Sequence, residues 1–442
     1  MTRIFPRSIL VIAIFAIFSA VSAASTLSDY VNKPDSVFKW DITSNVATRE
    51  GSKTIIDMTS QTWQGITWRH KIELFRPSKC DFPKTALLFI TGNYGPNRSE
   101  SKIGLQLALR SGCPVAVLYD VPNQPLYDGK SEDALIAYTL VKFLETGDKS
   151  WPLLLPMTKS AVQAMNAVEQ YFVKKSSVKI EQFVVCGASK RGWTTWLTAA
   201  VDPARVKGIM PMVYDNLNIK AQMERQVISF GDYSSQIQDY TDLGLQKTLS
   251  TDKGKSINNI IDPWAYRKHL TLPKLLINGS NDPYWPQDAL NIYWNDLKGP
   301  KSVLYMVNSG HGLVNNDDTG SKLETLVNSM AVFTRSIAVG TPTPVIRWKH
   351  VVKGNINTLN IIADPAAYSA RMLVATSATR DFRLSKWESV DMTAGKNGFT
   401  GTVDLPKEGF MAVFGEASTE VIGMKYTNST QIRLLNSRGI VK

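Results

Sequence analysis

From about residue 84 to residue 340 the chain repeats one pattern: a short run of consecutive apolar residues, a polar turn, then a longer stretch with apolar positions three and four apart. A run that is apolar at every position has no solvent face, as expected of parallel strands covered on both sides. The pattern predicts strands over 86–90, 114–119, 182–186, 206–213, 274–278 and 302–307. Helix signals fill the gaps. Ser131 reads as an N-cap with Glu132 and Asp133 in the first turn, an apolar body through Leu144 and Gly147 just past the end. Val162, Met165, Val168 and Phe172 form a stripe that predicts a helix over 160–174, and Leu323, Leu326, Met330, Phe333 and Ile337 predict one over 322–338.

The flanks read differently. Residues 38–77 alternate β-favouring segments with Gly and Ser turns, which predicts antiparallel strands ahead of the parallel set. Between Asp215 and Asp262 the alternation gives way to a polar insertion dotted with Phe230, Tyr233 and Tyr240. Above the carboxyl ends of parallel strands, such an insertion over about 216–262 predicts a cap. Pro342 and Pro344 make a stiff connector, beyond which segments are β-rich and helix signals vanish, so 344–442 is expected to be a small, separate β-sandwich. The expected class is α/β, a mostly parallel central sheet with helices on both faces over 24–340.

Arg3 and Arg7, an apolar stretch from Ile9 to Phe18 and the small residues Val21-Ser22-Ala23 have the anatomy of a secretory signal peptide over 1–23. The apolar run is about half the roughly 20 residues that span a bilayer, so no stable membrane insertion is expected and the mature chain should be extracellular. Losing Arg3 and Arg7 lowers the net charge of +12 by two. The basic residues are scattered, with no run longer than a pair such as Lys174-Lys175, which argues against nucleic acid as a partner. Four histidines far apart and no Cys-x-x-Cys spacing argue against a metal site. Of three cysteines, Cys186 lies in an apolar run as a buried thiol, leaving Cys80 and Cys113 as the expected disulfide. Sequons at Asn97 and Asn428 are expected to carry glycan, whereas Asn278 stands too near the chemistry described next.

The strand 182–186 runs into Gly187-Ala188-Ser189 and on into a helical stretch. A serine at such a turn is held out at the top of the sheet, and the glycine before it relieves crowding against the helix. The glycine usual two residues after the serine is absent; Arg191 stands there and Gly192 follows. His311, beyond strand 302–307, is placed to act as general base, and Asp282, beyond strand 274–278, to orient it. Ser, Asp, His is the chain order of the α/β-hydrolase fold, with all three at carboxyl ends of strands. Asp215 is the alternative acid. Oxyanion donors are expected from the backbone of Lys190 at the helix start and from Gly92 and Asn93 after the first parallel strand, although those loop glycines can equally serve a turn. Tyr94, Arg191 and Asp215 are positioned to touch substrate; Lys190 and Arg191 either favour an anionic substrate or anchor the helix by pairing. No cofactor is needed, and the substrate is a small molecule or peptide.

These residues carry a resemblance. Val121-Pro-Asn-Gln-Pro-Leu126, Glu132-Asp-Ala-Leu-Ile-Ala-Tyr138, Leu155-Pro-Met-Thr-Lys159, Gly187-Ala-Ser-Lys-Arg-Gly-Trp-Thr-Thr-Trp196, Asp262-Pro-Trp-Ala-Tyr266 and Pro273-Lys-Leu-Leu-Ile-Asn278 resemble the PhoPQ-activated pathogenicity-related protein family, which includes secreted autocrine proliferation repressors of social amoebae. The similarity runs from about Trp40 to Phe382. It implies an α/β-hydrolase domain with Ser189 as nucleophile, and Asp282 and His311 match the acid and base positions. Pro283-Tyr284 departs from the more acidic, phenylalanine-rich run expected there, which alters the pocket wall. Two functions follow as expectations: a serine hydrolase acting on an ester or peptide bond, or an extracellular signal read by a cell-surface receptor on a fold whose chemistry is incidental. A third reading gives the C-terminal sandwich a role in carbohydrate or cell-surface binding.

Overall fold

A computed structural model describes residues 26–96, 98–314, 320–396 and 398–441. Strands β1 (Lys39–Thr48), β2 (Gly51–Trp63) and β3 (Ile66–Pro77) form an antiparallel meander, as the alternation predicts. The parallel set follows: β4 (Thr85–Ile90), β5 (Val115–Leu118), β6 (Gln182–Ala188), β7 (Val206–Met212), β8 (Lys274–Gly279) and β9 (Lys301–Met306). The sheet order β1-β2-β3-β5-β4-β6-β7-β8-β9 is that of the α/β-hydrolase fold.

The continuous apolar runs are explained by two cores. In β4, Ala86, Leu88 and Ile90 join the core on one face while Leu87 and Phe89 join the other, and β6 divides its residues in the same way. Helices α1 (Ser99–Ser111) and α9 (Ser321–Val339) cover one face. The other is covered by α2 (Glu132–Thr146), α3 (Leu154–Ser176) and α4 (Lys190–Val201). Helix α3 starts six residues earlier than its stripe predicts, because Pro156 falls in the first turn, where a missing N–H costs nothing. The insertion folds into α5 (Ile219–Phe230), α6 (Gln238–Thr241), α7 (Leu245–Thr248) and α8 (Asp252–Ile261), which share a cavity with Lys190 and Trp193 at the start of α4. No helix among the described residues is long and apolar enough to cross a membrane.

The last hundred residues form two facing sheets. One is β10 (Val345–Lys353), β11 (Ile356–Asp364), β14 (Thr393–Gly395) and β15 (Gly398–Asp404). The other is built on β12 (Ser369–Ser377), β13 (Glu388–Asp391), β16 (Phe410–Val421) and β17 (Met424–Ser429), with β18 (Arg433–Asn436) and β19 (Gly439–Ile440) at one end. Leu359, Ile361, Met372, Val413 and Leu435 fill the space between them. The sandwich is not set apart as expected: β17 pairs with β9 at Ser429 and Val303, so its second sheet continues the central one.

Two expected modifications do not fit this fold. Cys80 and Cys113 are free thiols, as is Cys186. Cys113 is fully buried, its Sγ directed at the Ser111 carbonyl, and burial pushes its thiol up to about 12. Asn428 is 2% exposed and its amide donates to the Pro344 carbonyl at 2.7 Å, so no glycan can be accommodated there. Asn97 lies outside the described residues. Asn278 is buried against Asp215.

Candidate active site

Ser189 joins the end of β6 to the start of α4 with φ 58° and ψ −125°, a conformation that L-residues hold only where surrounding packing enforces it. The enforcing contacts are visible. The Ser189 amide donates to the Met212 carbonyl of β7, and its carbonyl accepts from Trp193. A Cβ on Gly187 would stand 2.7 Å from the Arg191 carbonyl, and one on Gly192 2.8 Å from the Met212 carbonyl. Gly192 therefore lets α4 press on β7, which accounts for a glycine three residues after the serine instead of two.

Arg191 uses the freed position for a clamp. Its guanidinium meets both Glu132 carboxylate oxygens at 2.7 Å, and its Nε donates to the Val121 carbonyl. Lys190 pairs with Glu132 at 2.8 Å and with Asp133 at 3.4 Å. Burial alone would raise the Glu132 carboxyl; the hydrogen bonds and charge of Arg191, joined by Lys190, outweigh it and hold the group well below the usual carboxylate range. Both cations are thus spent on internal pairs, which favours the anchoring alternative over an anionic substrate. Glu132 itself has φ 52°, and its amide donates to Gln124, whose side-chain amide donates in turn to Asn93 and Glu132. The clamp thereby ties the start of α4 to the loop after β4.

In that loop, a Cβ on Gly92 would lie 2.9 Å from an Arg191 nitrogen, so this glycine admits the clamp. The Tyr94 amide is occupied by Asp120, and its ring stacks edge-on against Tyr119.

His311 Nδ1 faces both oxygens of Asp282, at 3.0 and 2.9 Å. Asp282 is 4% exposed and also accepts from the Tyr284 amide. The other ring nitrogen, Nε2, is buried and has no hydrogen-bond partner among the described residues. The Tyr284 ring stacks on the imidazole, centroids 4.0 Å apart, and also lines the cavity that Ser189 borders. No hydrogen bond joins Ser189 Oγ to His311, a contact of the kind that often tightens only around a substrate. Asp215 does not reach His311. It takes a hydrogen bond from the Tyr293 hydroxyl at 2.5 Å and one from Asn278, and burial, reinforced by the charge of Asp282, pushes its carboxyl up to about 7. It lines a small cavity together with Asp282, Asn278 and Tyr305, and is not part of the lining of the cavity under the cap at Ser189.

Several supporting residues escape sequence reading. Asn281, beside Asp282, donates to the carbonyls of Phe382, Arg383 and Ser385. Asn308, near His311, exchanges two hydrogen bonds with the Trp387 backbone, and the Trp387 indole donates to the Ser280 carbonyl. Residues 382–387 from the C-terminal region thus brace both loops. Arg383 also packs over Phe230 of the cap, 3.9 Å from the ring centre. The only local signals were two asparagines at loop positions, with nothing to say what they meet.

Ser189 stands between two cavities. One, about 100 Å³, lies under the cap among residues such as Ile219, Met223, Leu245 and Ile257. The other, about 290 Å³, lies against the loop after β4 and is bordered by Thr91, Asn93, Arg98, Glu100, Glu132 and Arg191.

Among solved structures, the chain is similar to acetyl xylan esterase 1 from Thermoanaerobacterium sp., with 14% identity, a TM-score of 0.49, and coverage of 71% of this chain and 92% of that one. It is also similar to an S-formylglutathione hydrolase from Agrobacterium tumefaciens, with 13% identity, a TM-score of 0.44, and coverage of 68% and 99%. Among curated proteins, autocrine proliferation repressor protein A of Dictyostelium discoideum is 31% identical over 433 residues, spanning 89% of this chain and 86% of that protein. Residues 27–383 match the family described as PhoPQ-activated pathogenicity-related protein. With most of its length matched, this chain belongs to that family.

Proposed function

We propose that this protein is a secreted serine hydrolase of carboxylic esters, with Ser189 as nucleophile, His311 as base and then acid, and Asp282 as orienter. The observation that carries this reading is the His311 ring, held through Nδ1 by both Asp282 oxygens, with a buried Nε2 that has no partner among the described residues. An imidazole fixed in this way presents one nitrogen for proton transfer. Tyr284 links it to the cavity that Ser189 borders.

In the first half-reaction the Ser189 Oγ–acyl carbon bond forms while the Oγ proton passes to His311 Nε2. The carbon–oxygen bond to the alcohol then breaks, and the alcohol leaves with that proton. Water repeats the sequence, gives its proton to His311, and releases the acid as Ser189 regains its own. The Lys190 amide at the start of α4 and the loop at Gly92 and Asn93 supply the oxyanion donors. The clamp through Glu132 holds these two donor segments together.

The test is covalent labelling with a fluorophosphonate. Wild type should label, Ser189→Ala and His311→Ala should not, and loss of the serine should lower ester turnover by about 10⁶-fold. An unlabelled wild-type protein would defeat the proposal. The name of the amoebal relative motivates the rival reading of a signal read by a cell-surface receptor. Assaying Ser189→Ala for restraint of cell proliferation separates them: activity retained by the mutant would assign the effect to the surface and not to catalysis.

A further inference from the structure

We infer that the substrate has two unlike halves: a short apolar acyl group held under the cap, and an uncharged, hydrogen-bonding alcohol held against the loop after β4. The inference rests on the hydrolase reading and specifies which ester it takes.

Ser189 borders both cavities, so an ester carbon bonded to its Oγ has room for one substituent in each, with the carbonyl oxygen at the Gly92–Asn93 edge of the second. The cap-side cavity is walled mainly by aliphatic side chains from three cap helices, α5, α7 and α8, and by Trp193, with the paired Asp133 and Lys190 and the Tyr240 ring also on its lining. At about 100 Å³ it is smaller than the roughly 150 Å³ apolar cavity that admits a benzene ring, so its ceiling is about six carbons.

The opposite cavity has another chemistry. Its charged residues are two cations, Arg98 and Arg191, and two anions, Glu100 and Glu132, already paired as Arg98 with Glu100 and Arg191 with Glu132. A charged ligand would have to break a pair, whereas a neutral ligand with several hydroxyl or amide groups need not. Unused hydrogen-bonding capacity is present, since Arg98 Nε is buried without a partner among the described residues.

The direction of the ester follows from the reaction. The acyl group stays bonded to Ser189 until water arrives, and the cap encloses it. The alcohol must depart between the two steps, and the cavity on its side reaches exposed Asn93.

The experiment measures kcat/KM for monoacylglycerols from acetate to dodecanoate, on wild type, Met223→Trp and Leu245→Ala, with thermal unfolding to confirm that each variant folds. The rate should peak at four to about six carbons and fall at least tenfold by octanoate. Met223→Trp should move the peak to shorter chains and Leu245→Ala to longer ones. Methyl esters of the same acids should keep the peak position with a lower kcat/KM, because they leave the polar cavity empty. A rate that climbs steadily to dodecanoate, or a peak that neither cap substitution moves, would overturn the assignment while leaving fluorophosphonate labelling, and so the nucleophile, intact. Absence of labelling would instead sink both readings.

Discussion

Asp215 and Asp282 occupy equivalent places on neighbouring strands. Each lies three residues past a strand end, β7 at Met212 and β8 at Gly279, and each is 4% exposed. Their partners differ. Asp282 faces an imidazole; Asp215 faces a phenol and a carboxamide. A carboxylate against an imidazole nitrogen fixes which way the ring points and which of its nitrogens is left for other partners. A carboxyl satisfied by neutral donors in a dry site tends instead to hold its own proton. Position at a strand end therefore does not distinguish the two carboxyls. The group across from each one does.

The comparison breaks first at turnover. Asp282→Asn should lower ester hydrolysis by about 10⁴-fold with the fold intact, since an amide cannot hold the imidazole in the working tautomer. Asp215→Asn should do far less. Steady-state rates on one ester, with the order of the two mutants reversed, would exchange their roles.

A smaller effect concerns pH and stability. The folded Asp215 carboxyl lies at about 7, against about 3.9 when unfolded, so the folded state holds this proton more tightly. Its contribution is fully present below about pH 4 and is lost as pH rises through about 7, on the order of a few kcal/mol. Urea midpoints should fall across that window in wild type, and Asp215→Asn should flatten the decline. An equal slope in both proteins would show that Asp215 is not the group responsible.

Smaller still is Tyr293→Phe, which removes one donor from buried Asp215 and should cost about 1–3 kcal/mol in urea unfolding. Because Tyr293 does not touch His311, kcat should stay near wild type. A large loss of kcat with little loss of stability would draw Asp215 back into the chemistry.

What the sequence disclosed depended on the range of the interaction. The parallel strands were legible because burial on both faces writes an unbroken apolar run, as in Leu87, Leu88 and Phe89. Ser189 was legible because Gly187 answers a local crowding problem. His311 and Asp282 were legible through chain order at strand ends. The Glu132–Arg191 clamp was not, because it joins residues 59 apart and Glu132 alone reads as a first-turn acid. The Cys80–Cys113 expectation failed because neighbouring strands bring thiols near without setting their geometry. The Asn428 sequon misled because three letters say nothing of how deeply β17 packs.

The bracing of Asp282 and His311 by residues 382–387 bears on the order of synthesis. Ser189 and its elbow leave the ribosome long before the segment that fixes the acid and base loops. While the nascent chain is still short of Trp387, both loops lack their brace, and the three groups have no reason to hold a common geometry. Synthesis of the segment up to Trp387 is therefore what gives the Asp282 and His311 loops their final support.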